Sequence, residues 1–166
     1  MKRKNGLITV AAVLLCLAFF VLFYTRPRTI EQRYPFLKMV ECVQISGYYR
    51  FSDDDAPHSF SISPDDEKFD EMLRLFREVP FKTRLRNILP LGTRTHTGDG
   101  FQWNVDLTFE SITLDDGSSI SGDVLNINNF YGDIVIFFNG EIVQCKVSEP
   151  QQWAQNVLDI AQLFAD

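Results

Sequence analysis

From Leu7 to Tyr24 the chain carries 18 consecutive uncharged residues whose only polar side chains are Thr9 and Tyr24. At 1.5 Å per residue a helix of that length reaches roughly 27 Å, close to the hydrocarbon thickness of a bilayer. The segment is therefore expected to cross a membrane. A basic head, residues 1–6 with Lys2, Arg3 and Lys4, precedes it, and Arg26, Pro27 and Arg28 come after it in place of a small-x-small cleavage site. This is the layout of an uncleaved signal-anchor. Cys16 lacks the small preceding residues that lipidation needs, because Leu14 and Leu15 stand there.

The positive-inside count does not set the orientation, since Arg26, Arg28, Arg33 and Lys38 oppose the basic head. The short head leading straight into the apolar run favours a single-pass cell-membrane protein with its domain outside the cytoplasm.

Charge divides the chain in the same place. All acids lie beyond residue 30, and once Lys2, Arg3, Lys4, Arg26 and Arg28 are set aside, the remainder holds 11 bases against 22 acids, a net −11. A domain of that charge is a poor binder of nucleic acid. Its many Phe residues give it apolar area to bury, so it is not disordered. Residues 25–36, with Pro35 and mixed charge, read as a stalk, and residues 37–166 as one domain.

Within that domain Met39 to Ser46 and Tyr48 to Phe51 read as strand around Gly47, with His58 to Ile62 returning as a hairpin partner. Ser63 and Pro64 are expected to open a helix whose Phe69, Met72, Leu73 and Phe76 form one buried stripe, with Pro80 ending it. Phe81, Thr83 and Leu85 alternate with Lys82, Arg84 and Arg86, and Phe101 to Phe109 alternates more strictly still. A parity slip after Phe109 predicts a bulge near Glu110 and Ser111, and Asp116-Gly117 a turn into a strand over Ser119 to Ile127.

Asn139-Gly140 predicts a two-residue hairpin that sets Ile136 opposite Val143 and Ile134 opposite Cys145. Ser148 with Gln151 reads as a capping box for a last helix buried through Trp153, Val157, Ile160, Ala161 and Phe164. The expected fold class is α+β, a mainly antiparallel sheet with two amphipathic helices on one face, preceded by the membrane helix.

Several residue groups could carry chemistry. Lys82, Arg84 and Arg86 share one strand face and make a basic stripe that could hold an anionic ligand, although a solvated outer face, partly neutralised by the acids around it, is the simpler account. Cys42 and Cys145 could pair in an oxidising compartment or serve as two buried thiols. Asp53 and Asp55, with Asp54 and the acids Asp65, Asp66 and Glu67, offer oxygen ligands to calcium, but the spacing lacks the glycine of a calcium loop. His96 and Asp99 could act as a base and its orienting partner in a small hydrolase or transferase. No nucleophile, metalloprotease or phosphate-loop motif accompanies them.

No cofactor is implied. The expected function is a non-enzymatic binding module with a protein partner in the cell envelope; a small enzyme and a calcium-stabilised spacer are the alternatives.

Overall fold

A computed structural model of the chain describes residues 2–52, 56–85, 101–113, 117, 119–120, 124–129 and 134–165. Helix α1, Lys2–Thr25, contains the window Ile8–Thr25, whose mean hydropathy of 2.5 makes it long and apolar enough to cross a membrane. Its end is marked by chemistry that suits a boundary. Thr25 Oγ1 donates back to the Val21 carbonyl at 2.8 Å, and the guanidinium groups of Arg26 and Arg28 sit 4.9 and 4.7 Å from the centroid of the Phe23 ring.

The segment between this helix and the body of the domain is not a free stalk. Strand β1, Pro27–Arg28, joins the sheet, and Thr29 caps the short helix α2, Ile30–Arg33, through a reciprocal box with Gln32. Ile30 and Tyr34 are buried in the same core cluster as the rest of the domain, and a 3-10 turn at Pro35–Lys38 then buries Leu37. Arg77 holds the segment from the other side, through Glu31 at 2.5 Å and the Leu37 carbonyl at 3.2 Å. Mixed charge without periodicity looked like a linker in one dimension. Those charges are instead partners of Arg77, Thr83 and Glu141, so residues 27–38 pack with the sheet and core.

The remaining elements are β2 (Cys42–Arg50), β3 (His58–Ile62), α3 (Phe69–Arg77), β4 (Phe81–Thr83), β5 (Gln102–Phe109), β6 (Ile112–Thr113), β7 (Ser119–Ile120), β8 (Val124–Asn128), β9 (Ile134–Phe138), β10 (Glu141–Lys146) and α4 (Pro150–Ala161). Eight strands form one antiparallel sheet in the order β1-β4-β10-β9-β8-β5-β2-β3. Alternation sends Ile45, Val105, Leu107, Ile127, Ile136 and Val143 into one core cluster, to which the buried residues of α3 and α4 also belong. On the opposite face polar side chains satisfy one another. Asn126 Nδ2 donates to Asn104 Oδ1 and Asp106 Oδ1, both at 2.6 Å, and Arg50 Nε donates to Gln102 Oε1 at 2.8 Å.

The Asn139-Gly140 hairpin has the expected register, with φ of 48° and 78° at its two central residues, as a type I′ turn requires. Gly47 does not bend β2; a Cβ there would lie 2.0 Å from the Asn104 carbonyl oxygen, so the residue permits close strand approach. The parity slip after Phe109 ends the strand instead of bulging it. Ile112–Thr113 leaves to pair with Ser119–Ile120 in a separate two-stranded sheet, so 119–120 and 124–128, expected as one strand, pair in different sheets.

Both helix starts also differ. Ser63 N donates to Asp66 Oδ2 at 2.6 Å and Asp66 N to the Ser63 carbonyl at 2.9 Å, a local turn that delays α3 to Phe69. For α4, Pro150 takes the first helical position, so the cap falls on Glu149, in the left-handed region at φ 51°, and not on Ser148.

A candidate ligand pocket between α4 and the sheet

Trp153 of α4 packs edge-on against three other rings: Phe76 at 5.5 Å, Phe81 at 5.8 Å and Trp103 at 5.2 Å between centroids. Its Nε1 donates to the Leu75 carbonyl at 2.8 Å, which fixes the indole. On one side of this cluster lies a pocket of about 760 Å³, lined by residues from the ends of β2, β4, β5, β8, β9 and β10 and by α4. That volume falls within the roughly 300–1,000 Å³ of small-molecule sites.

The wall is mainly apolar: Trp103, Trp153, Phe51, Phe101, Ile134 and Leu158 contribute to it. Asn129 braces it, accepting from Trp103 N at 2.8 Å and donating from Nδ2 to the Phe101 carbonyl at 2.8 Å, which ties the start of β5 to the end of β8. Phe51 and Phe101 pack in a tilted pair with centroids 5.9 Å apart, with Tyr49 against both. Trp103, only 2% exposed, keeps its Nε1 buried without a hydrogen-bond partner among the described residues.

Arg84 and Lys146 are the cations at this pocket, and no carboxylate is among the described residues that line it. Arg84 is anchored through its backbone N to the Gln144 carbonyl at 2.9 Å, and partial burial draws its guanidinium pKa down. Lys82 is exposed on β4 next to Lys146 in the register, while Arg86 lies outside the described residues. Of the expected stripe, then, Arg84 reaches the pocket, and Lys146 joins it from a strand distant in sequence. No local signal marked Lys146 or Asn129, because their proximity to Arg84 and Trp103 arises from strand pairing.

The other sequence candidates separate from this site. Cys42 and Cys145 are free thiols on β2 and β10. Strands β5, β8 and β9 lie between them, which at about 4.8 Å per strand puts them on the order of 19 Å apart. A disulfide cannot span that distance, so the pairing considered from the sequence is corrected to two buried thiols. Burial pushes each thiol up to about 11, which removes Cys145 as a nucleophile although it touches the pocket.

Asp53, Asp55, His96 and Asp99 lie outside the described residues, and among the described residues no group of three or more metal-ligating side chains gathers. His58 stacks on Tyr49 at 5.2 Å, and Arg77 is committed to Glu31.

Compared with known proteins, the chain matches no family model, no curated protein and no solved structure.

Proposed function

We propose that the protein is a single-pass, membrane-anchored binding module whose ligand occupies the pocket between α4 and the sheet, with the domain outside the cytoplasm. The observation that carries this reading is the pocket itself: aromatic and aliphatic walls with a few placed polar groups, Asn129, Arg84 and Lys146 among them. We read α3 and α4 as lying together on the core face, leaving the polar face of the sheet for contact with an envelope protein. The basic head before a long apolar helix supports the outside orientation. None of the described wall residues supplies an activated nucleophile, so binding is the chemistry the site favours.

The chain's two tryptophans, Trp103 and Trp153, both line the pocket and report on its occupancy. The full chain in phosphatidylcholine vesicles is titrated with the uncharged dye N-phenyl-1-naphthylamine, reading energy transfer from tryptophan. Saturable transfer in the native protein is expected, with only the membrane background left in Ala154→Phe, which fills the pocket. Equal transfer in both proteins refutes the reading. Protease protection in intact cells checks the topology: cleavage of the domain before the membrane is opened is expected, and full resistance overturns the outside orientation.

A further inference from the structure

The lining of the pocket changes in polarity with burial. Its buried residues, Trp103, Trp153, Ile134, Cys145, Val147 and Leu158, are all apolar. Its polar side chains, Asn129, Gln151, Gln155, Arg84 and Lys146, all keep solvent exposure. Neither indole offers its N–H to a ligand, because Trp153 Nε1 is committed to the Leu75 carbonyl at 2.8 Å and Trp103 Nε1 is itself buried. The buried side chains therefore give a polar atom no strong hydrogen bond in exchange for its water.

Much of the wall is also made of rings. Trp103 and Trp153 meet at 5.2 Å and 69°, and the more exposed Phe51 and Phe101 meet at 5.9 Å, so four aromatic side chains border one space of about 760 Å³. Ring edges are positive and ring faces negative, so a flat aromatic guest gains edge-to-face contacts that an alkyl group of similar size lacks. From these two features we infer that the pocket takes a small molecule bearing an aromatic ring, inserted ring first against Trp103 and Trp153, with its polar substituent left among Asn129, Gln151 and Gln155. A space of small-molecule size with a buried inner surface suits a whole free molecule better than the face of a macromolecule.

The inference names the ligand class of the proposed binding site and rests on that reading, so its test begins from native protein that has taken up the dye. The full chain in phosphatidylcholine vesicles with bound N-phenyl-1-naphthylamine is titrated with phenylbutanol or with cyclohexylbutanol. Loss of energy transfer is read against free alcohol, with protein-free vesicles giving the partition. Cyclohexyl has the larger apolar area, so a wall that acts by burial alone favours it. Phenylbutanol is instead expected to displace the dye at about fivefold lower free concentration, the worth of one favourable aromatic pair. Its para-hydroxylated form, with a second hydroxyl at the far end of the ring, should need about tenfold more than phenylbutanol, since that hydroxyl meets the buried wall. Phe51→Leu with Phe101→Leu should cut the preference for phenyl by about twofold or more while the dye still binds. Phe51→Leu alone, at a half-exposed side chain, serves if the double variant fails to fold.

Equal or tighter binding of cyclohexylbutanol overturns the selection of rings, and an unchanged preference in the Leu variants overturns the part given to Phe51 and Phe101. Equal binding of the para-hydroxylated form overturns the ring-first orientation. A blocked Gly-Phe-Gly peptide that displaces the dye at lower concentration than phenylbutanol overturns the free-molecule assignment in favour of a partner's side chain. Dye that none of these displaces overturns the inference and leaves the binding pocket standing, whereas native protein that takes up no dye refutes the binding reading itself.

Discussion

Ile30→Ala separates a structural segment from a tether. Ile30 lies five residues beyond the apolar helix α1 and is 1% exposed, packed in the core cluster with Tyr34 and Leu37. Truncation to Ala removes three buried carbons, worth about 0.8 kcal/mol each, or about 2.4 kcal/mol of transfer free energy. The cavity left behind adds to that, because α2 is pinned by its capping box and by the Arg77–Glu31 pair and cannot collapse inward.

The expected loss is therefore about 3 kcal/mol, within the roughly 2–5 kcal/mol range for Ile→Ala in cores. For a domain of this size it should appear as a fall of roughly 10 °C in melting temperature. The assay is urea unfolding of the full chain monitored by tryptophan emission, since Trp103 and Trp153 both sit in the core. Met39→Ala, at a side chain 62% exposed, is the control and should change stability by under about 0.5 kcal/mol. If the two variants unfold at the same urea concentration, the segment after the apolar helix α1 is a tether and its packing as described is wrong.

Gly47→Ala should destabilise by about 3 kcal/mol or more, since the new Cβ meets a backbone carbonyl that cannot rotate away; a melting point unchanged within about 2 °C would refute the close approach of β2 and β5. Glu31→Gln breaks a pair whose two side chains are each about one quarter exposed, so roughly 1 kcal/mol should be lost, and the loss should shrink in high salt. Thiol titration in denaturant should find three free thiols with or without reductant, because Cys16, Cys42 and Cys145 are all unpaired.

Stability should also fall with alkali in a defined window. The folded thiols of Cys42 and Cys145 titrate near 11 against an ordinary 9.0, so their contribution is complete below pH 9 and is lost as pH rises towards 11. Replacing both by Ala should flatten that part of the profile, leaving a decline above pH 10 from Tyr34, whose phenol pKa is raised by burial and by Glu141.

The elements that reasoning from residues placed correctly are those whose signal is local. The β9–β10 hairpin arises from two residues that accept positive φ, and the stripes of α3 and α4 from helical spacing of Phe, Met, Trp and Ile. Helix starts were less legible, because Ser63 and Ser148 each had a neighbour, Asp66 or Pro150, that resolved the same backbone differently. The stripe of Lys82, Arg84 and Arg86 was visible as charge, but its pairing with Lys146 and its setting beside two tryptophans were not.

The amino-acid order alone settles that this chain has a helix able to cross a bilayer, an acidic body and an antiparallel α+β domain, since each depends on composition or on a period of a few residues. Only the folded chain decides which strands become neighbours. The sheet order β1-β4-β10-β9 joins residues 27, 82 and 146, and that non-local pairing converts an apparent linker into core, separates Cys42 from Cys145, and sets Arg84 and Lys146 at one apolar pocket. The physical reason is that side-chain period is written along the chain, whereas strand adjacency is chosen by the burial of the whole sheet at once.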